Sequence, residues 1–155
     1  MWRMKVTAVT IVVLGALMFG AMVAYAGWGW NAKVNIEGTM VSTSWSVADG
    51  SGANDYNAVI TLDVPENADV RIVKVAHRRE FLNVNKIEGL QCNADGSVDV
   101  TVTFEVTGGD GLGVVSASID RVGGKAKESY GSDSGPVGTP LSWVFTMPGN
   151  CTDPD

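Results

Sequence analysis

A strict alternation of apolar and polar residues is the feature that most constrains the fold of this chain. Over residues 98–106, Val or Phe occupies every even position, and Asp, Thr or Glu occupies every odd position. Successive side chains of a β-strand point to opposite faces, so this pattern indicates a strand with one face toward a core and one toward water. Shorter runs of the same kind cover residues 58–64 and 141–147, and a proline limits each of them. Because no stretch has the periodicity of an amphipathic helix, the sequence predicts an all-β domain.

The remaining runs and the turns between them predict the layout of the sheets. Residues 32–36 and 41–47 are strand-like but have opposite parity, which indicates a bulge or a passage between sheets near Gly38. Residues 78–90 have no clean period and predict a short helix or an irregular strand, whereas the polar residues 123–140 predict a loop. We therefore expect a single antiparallel two-sheet β-sandwich, jelly-roll or immunoglobulin-like, with about seven strands.

The first 26 residues form a separate segment. Arg3 and Lys5 precede a long apolar run, and Ala24-Tyr25-Ala26 matches a small-residue cleavage site. This arrangement predicts a signal peptide over residues 1–26 and a secreted or cell-surface domain over residues 27–155. The run is also long enough to remain as a membrane anchor, so cleavage and retention both stay open. A pilin-type leader is disfavoured, because such leaders are cleaved ahead of the apolar segment and the required Gly and downstream Glu are absent there.

Charge and cysteine content limit the partners and the compartment. Removal of residues 1–26 takes away two basic residues and no acidic one, which changes the formal net charge from -6 to -8. The mean hydropathy of +0.12 comes largely from that segment. An acidic chain lacks the basic face that nucleic acid requires, so we expect no nucleic-acid partner, and membrane contact only through the signal segment. In an oxidising compartment, Cys92 and Cys151 predict one disulfide, worth roughly 3–4 kcal/mol; two unpaired thiols are the alternative.

Catalytic motifs are weak in this chain. Residues 75–77 and 133–136 resemble the sequences around the base and the nucleophile of chymotrypsin-like proteases, with His77 ahead of Ser134. That fold needs two β-barrels to bring its catalytic groups together, and a mature chain of this length provides about half of that. No other catalytic motif is present, so we predict no enzyme.

Loop oxygens are the only candidates for a cofactor site. Ca²⁺ prefers hard oxygen ligands on flexible loops, and extracellular sites need only millimolar affinity. Asn and Asp also form turns without any ligand, so a turn-forming role is the alternative for each residue. The candidate calcium ligands are Asp49, Asn54, Asp55, Asn93, Asp95 and Asp110.

The start of the mature chain is the candidate assembly segment. Residues 27–36 alternate so that one face of a strand holds five apolar side chains: Trp28, Trp30, Ala32, Val34 and Ile36. This segment is either the first strand of the sandwich or a strand donated to a neighbouring subunit, for which large apolar side chains spaced by two are suitable plugs. Head-to-tail donation does not close on itself and generates a fibre.

The order of signal segment, small-residue cleavage site, aromatic strand and small acidic β-domain resembles secreted fibre subunits of the camelysin and TasA type, and their archaeal relatives in bundling pili and cannulae. The residues that support the resemblance are Ala24-Tyr25-Ala26-Gly27-Trp28-Gly29-Trp30 and Gly38-Thr39-Met40-Val41-Ser42-Thr43-Ser44-Trp45. The resemblance implies a jelly-roll-like sandwich that polymerises by donor-strand exchange, sometimes with calcium at subunit contacts. The two cysteines are not part of the usual pattern of that family.

Together these features predict a secreted structural subunit that forms an extracellular filament or surface layer, with other copies of itself as its partner. The alternative is a monomeric secreted ligand-binding or adhesin module that uses the loops at residues 108–113 and 123–140.

Overall fold

The computed structural model describes residues 32–48, 55–75, 79–109, 111–123 and 128–153. Within these ranges the chain is all-β, as predicted, and forms nine strands. In chain order they are β1 (Ala32–Ile36), β2 (Thr39–Ala48), β3 (Tyr56–Pro65), β4 (Val70–Lys74), β5 (Glu80–Ile87), β6 (Val98–Gly108), β7 (Val114–Arg121), β8 (Ser129–Pro136) and β9 (Leu141–Met147). The described ranges contain no helix of the length and apolarity needed to cross a membrane. The predicted signal peptide lies outside them.

Two sheets form the predicted β-sandwich. The strand order is β4-β1-β2-β7-β8 in one sheet and β5-β3-β6-β9 in the other. The described strands number nine rather than about seven. All paired neighbours are antiparallel except β3 and β5. Those two are parallel because the chain leaves β3, forms β4 in the other sheet and then returns, so the second sheet is mixed.

The parity change near Gly38 has a simpler cause than the one expected from the sequence. β1 and β2 form a hairpin in which Ile36 pairs with Thr39 across the two-residue turn Glu37-Gly38. Directly opposite residues of an antiparallel pair face the same side, so even positions of β1 share a face with odd positions of β2. The prediction of a bulge or a passage between sheets was wrong, because a two-residue hairpin turn alone reverses the parity.

Two segments with weak patterns are strands. Residues 80–87 form β5, an edge strand beside β3, which decides between the helix and the strand expected over residues 78–90. Residues 129–136 form β8, so the prediction of a loop over residues 123–140 was wrong. The Ser- and Gly-rich sequence of β8 is typical of loops, and its extended shape depends on pairing with β7.

The core lies between the sheets. The five inward-facing residues of the longest alternating run are all buried: Val98, Val100, Val102, Phe104 and Val106. At the β8–β9 side, the rings of Tyr130 and Phe145 are 5.5 Å apart, and Trp143 stacks on Phe104 at 5.7 Å. The Trp143 indole N–H also donates a hydrogen bond to the Tyr130 carbonyl at 2.9 Å. These contacts join the last strands of the two sheets and cover the core there.

The predicted disulfide between Cys92 and Cys151 is confirmed, with the two Cα atoms 5.6 Å apart. It joins the segment before β6 to the residues that follow β9. The C-terminal segment is thereby attached to the end of the sandwich that holds the β1–β2 turn, which it contacts through Asn150.

Candidate assembly site

The candidate donor strand β1 is an integral part of its own sheet. It lies between β2 and β4 and pairs with both. Ala32, Val34 and Ile36 are fully buried, as the alternation predicts for a strand that faces a core. The buried Thr43 hydroxyl on β2 donates to the Ala32 carbonyl at 3.4 Å, and the Ala32 N–H donates to the same hydroxyl at 3.3 Å. Trp28 and Trp30, the other two predicted assembly residues, lie outside the described residues.

The turn that follows β1 contains a conformation that is unfavourable for its first residue. Glu37 has a φ of 49° and Gly38 a φ of 86°, so both residues lie in the left-handed region. A two-residue turn of this kind favours Asn-Gly or Asp-Gly, and a residue such as Glu in the left-handed region costs about 1–2 kcal/mol. The Asn35 side chain partly compensates, because its Oδ1 accepts a hydrogen bond from the Gly38 N–H at 3.0 Å.

The Glu37 side chain connects the turn to two other segments. Its Oε2 accepts a hydrogen bond from the Asp69 N–H at 2.6 Å, and its Oε1 accepts one from the Asn150 N–H at 2.9 Å. The Glu37 N–H donates in turn to the Asp69 carbonyl at 2.8 Å. Charge-assisted bonds to backbone N–H groups are stronger than neutral ones, so this carboxylate holds the β1–β2 turn against the β3–β4 turn and the C-terminal segment.

The C-terminal segment, residues 149–153, forms a clasp over this end of the sandwich. The disulfide at Cys151 and a hydrogen bond from the Cys151 N–H to the Gly96 carbonyl at 2.9 Å hold its middle. The Asp153 carboxylate accepts from the Cys92 N–H at 3.0 and 3.1 Å. We call residues 149–153 the C-terminal clasp. Since the Asn150 N–H bonds to Glu37, the clasp restrains the turn at which β1 would have to open.

A buried carboxylate that the sequence did not single out lies beneath β2. Glu80, at the start of β5, is only 3% exposed, and its Oε2 accepts a hydrogen bond from the Trp45 indole N–H at 2.9 Å. The bond crosses from one sheet to the other. In the sequence, residues 77–80 are typical of an exposed, charged strand end. In the structure, Glu80 pairs with the buried Ala58 of β3, and paired residues face the same side, so Glu80 faces inward.

Three of the six predicted calcium ligands, Asp55, Asn93 and Asp95, lie among the described residues. Asp49, Asn54 and Asp110 lie outside the described residues. Asp55 forms an ion pair with Arg79 at 2.9 Å between Oδ1 and a guanidinium nitrogen. Among the described residues, no group of three or more His, Cys, Asp or Glu side chains has a geometry that could hold a metal ion. Calcium binding therefore stays a prediction.

Asn93 and Asp95 are committed to a turn. The Asp95 Oδ1 accepts hydrogen bonds from the Ser97 hydroxyl at 2.5 Å and from the Ser97 N–H at 2.9 Å. The Asn93 side-chain amide donates to the Ser97 hydroxyl at 3.0 Å and to Asp99 at 3.1 Å. This network is the turn-forming alternative that the sequence left open for these two residues.

The Asp95 turn makes part of the stability depend on pH. The hydrogen bonds from the Ser97 hydroxyl and, second, from its backbone N–H lower the pKa of Asp95. A carboxyl group whose pKa is lower in the folded than in the unfolded state stabilises the fold at pH values above the unfolded-state pKa. This stabilisation is lost as the pH falls through the folded-state pKa. We expect the Asp95→Asn variant to melt below the parent protein near pH 6 and together with it in strong acid, measured by circular dichroism. Glu66→Gln, at an exposed turn residue, is the control. A deficit for Asp95→Asn that persists unchanged in strong acid would contradict this prediction.

One outer surface of the five-stranded sheet is lined by serine hydroxyls. The register places Ser46, Ser116 and Ser134 in one row across β2, β7 and β8, and Ser44, Ser118 and Ser132 in the next. They line a shallow concavity of about 520 Å³ together with Asp133. Ser134, the residue in a protease-like context, is thus on an outer sheet face, and His77 lies outside the described residues.

Comparison of the chain with protein-family models, with curated proteins and with solved structures finds no match.

Proposed function

We propose that this protein is a secreted structural subunit that assembles into an extracellular filament or surface layer by exchange of its N-terminal strand, residues 27–36. The observation that supports this most is the position of β1. It is the first of the described strands, it lies between two other strands, and its buried side chains are spaced by two. A neighbour's copy of the same strand can make the same contacts.

The turn after β1 supports exchange on energetic grounds. The closed monomer and the polymer have the same contacts, so the equilibrium between monomer and polymer depends on the hinge and on the protein concentration. A short strained hinge favours the open form, since straightening Glu37-Gly38 releases the left-handed conformation of Glu37. The Glu37 hydrogen bonds and the C-terminal clasp act in the opposite direction. A subunit that lends its own β1 and receives another forms an unclosed, head-to-tail chain.

The two tryptophans ahead of β1 are expected to be needed for assembly. We expect the Trp28→Ala/Trp30→Ala double variant of the exported protein to remain monomeric, because it lacks the large apolar side chains of the donor strand. The parent protein should elute as polymers in size-exclusion chromatography and show filaments in negative stain. Deletion of residues 27–30 should have the same effect and leave a folded monomer by circular dichroism.

Lys33→Ala is the matched control, because Lys33 lies on the same strand and faces away from the core. It should polymerise like the parent protein. Filaments of normal length from the double-tryptophan or the deletion variant would refute strand exchange. Mass spectrometry of the exported chain tests the cleavage site at the same time, since cleavage after Ala26 leaves Gly27 as the first residue.

A monomeric binding module is the second candidate. The serine-lined concavity on β2, β7 and β8 supports it, since polar groups converge there on an exposed sheet face. β8 lies within the 123–140 segment on which the sequence places this alternative. A parent protein that stays monomeric at all concentrations would favour the binding module over the structural subunit.

A further inference from the structure

The C-terminal clasp contains an acceptor sequence for N-linked glycosylation. Asn150-Cys151-Thr152 has the form Asn-x-Ser/Thr, in which x is any residue except proline. Every other asparagine of the sequence lacks Ser or Thr two positions later, so this tripeptide is the one acceptor motif of the chain. In an exported protein, such a motif is an acceptor where it lies on an accessible surface loop.

The two residues that define the motif are exposed, and the residue between them is not. Asn150 and Thr152 are exposed to solvent, whereas Cys151 is 7% exposed and bonded to Cys92. Residues 148–153 form neither helix nor strand, so the motif lies in a surface loop. The disulfide is made on the side of this loop that faces the sandwich, and the two motif side chains lie on the other side. The native disulfide and a glycan on Asn150 are therefore compatible.

The clasp is held in place without the side chain of Asn150. The Asn150 N–H donates a hydrogen bond to the Glu37 carboxylate at 2.9 Å, and the Asn150 carbonyl accepts one from the Thr152 hydroxyl at 3.5 Å. Both contacts use main-chain atoms of Asn150. Within the described part of the chain, its side-chain amide takes part in no hydrogen bond. A sugar on the amide nitrogen therefore disrupts no contact of the folded domain.

The surface around Asn150 has room for a sugar. A shallow concavity of about 420 Å³ lies between the clasp and the turn that Asp95 stabilises, and residues 92–96 and 150–153 line it. Asp95, Thr152 and Asp153 contribute polar side chains to this lining. An N-linked glycan is bulky and hydrophilic, so it needs an open, polar surface of this kind.

We propose that Asn150 carries an N-linked glycan in the exported protein. This inference rests on the export that the proposed function includes, and it adds a modification site that strand exchange does not require. In the transfer, Nδ2 of Asn150 forms a bond to C1 of the first sugar of an oligosaccharide carried on a lipid diphosphate. The bond between C1 and the diphosphate oxygen breaks, the lipid diphosphate leaves, and the amide nitrogen loses one proton.

Mass spectrometry of the full chain, exported by the cells that naturally produce it, tests this site. We expect an intact mass above that of the polypeptide by the mass of a glycan, and tandem mass spectrometry of the peptide should place the glycan on Asn150. The Asn150→Gln variant should lose the added mass completely. This variant keeps the main-chain N–H that bonds to Glu37, so its circular dichroism spectrum should match that of the parent protein.

Two variants at Thr152 separate glycosylation from an effect on folding. Thr152→Ala keeps Asn150 but removes the motif, so it should lose the added mass. Thr152→Ser preserves the motif and should keep the glycan. Both substitutions change the same exposed side chain, so a difference in mass between them reports recognition of the motif.

The outcomes separate this site from the proposed function. An exported chain whose Asn150 peptide is found only unmodified would overturn the site, and so would an added mass that persists in Asn150→Gln. If that unmodified chain forms filaments, strand exchange still stands. A glycan on Asn150 of a protein that stays monomeric at all concentrations supports the site and contradicts the filament subunit. A chain that is neither exported nor modified contradicts both.

Discussion

Replacement of Trp45 by alanine is expected to lower the free energy of unfolding by about 3–5 kcal/mol, the usual cost of truncating a buried tryptophan. Trp45 is 2% exposed and belongs to the core between the sheets, so its truncation leaves a cavity there. The change also removes the indole donor from the buried Glu80 carboxylate. Loss of this donor removes one hydrogen bond from a buried polar group, and that cost adds to the cavity term. Urea unfolding followed by far-ultraviolet circular dichroism measures the difference.

Trp45→Phe separates the two contributions. Phenylalanine keeps most of the aromatic volume and lacks the N–H, so this variant should lose about 0.5–1.5 kcal/mol, the typical net contribution of one hydrogen bond. If Trp45→Phe is as stable as the parent protein, the hydrogen bond to Glu80 contributes nothing. If Trp45→Ala loses less than about 1 kcal/mol, the packing of β2 against the second sheet is not as described.

Removal of the disulfide is expected to have an effect of similar size. The Cys92→Ala/Cys151→Ala variant loses a cross-link between residues 59 positions apart in sequence. In the loop-entropy account, a closed loop of that length stabilises the folded state by about 4 kcal/mol, because it restricts the unfolded chain. Far-ultraviolet circular dichroism in urea, with and without a reducing agent, gives the free energy of unfolding. The reductant should destabilise the parent protein and leave the double-alanine variant unchanged.

The Cys92→Ala/Cys151→Ala variant also tests the C-terminal clasp, through the rate at which assembly begins. Without the disulfide, residues 149–153 are held by their remaining hydrogen bonds, and the Asn150 N–H is a less firmly placed donor to Glu37. If strand exchange occurs at the Glu37-Gly38 turn, assembly of the variant should begin sooner than that of the parent protein at equal concentration. Assembly that is slower, or abolished while the monomer remains folded, would show that the clasp does not restrain the turn.

The parts of the fold that could be predicted from the sequence are strands with one face toward the core and the other toward water. Residues 98–106 lie in β6 with the predicted facing, since burial on one side alone requires a period of two. The loop expected over residues 123–140 and the ambiguous residues 78–90 were less tractable because β8 and β5 are edge strands. An edge strand is stabilised by its one neighbour, and its own sequence needs little apolar character.

At the candidate site, too, some features could be predicted from the sequence and others could not. The alternation of residues 27–36 predicts a buried face for Ala32, Val34 and Ile36, and all three are buried. Nothing local distinguishes Glu37, Glu80 or Asp153 from ordinary solvent-exposed acidic residues. Their roles depend on partners 32 or more positions away, as in the bond from Asp69 to Glu37, and such distances depend on the strand order.

By itself the sequence determined the all-β class, the inward face of the main strands and the identity of the two disulfide-bonded cysteines. These follow from the side-chain period and from the presence of two cysteines, which are local or compositional properties. Only the tertiary structure decided the strand order, the parallel β3–β5 pair, and the place of β1 between β2 and β4. Main-chain hydrogen bonding is nearly independent of side chains, so which strands pair is decided by packing across the whole domain.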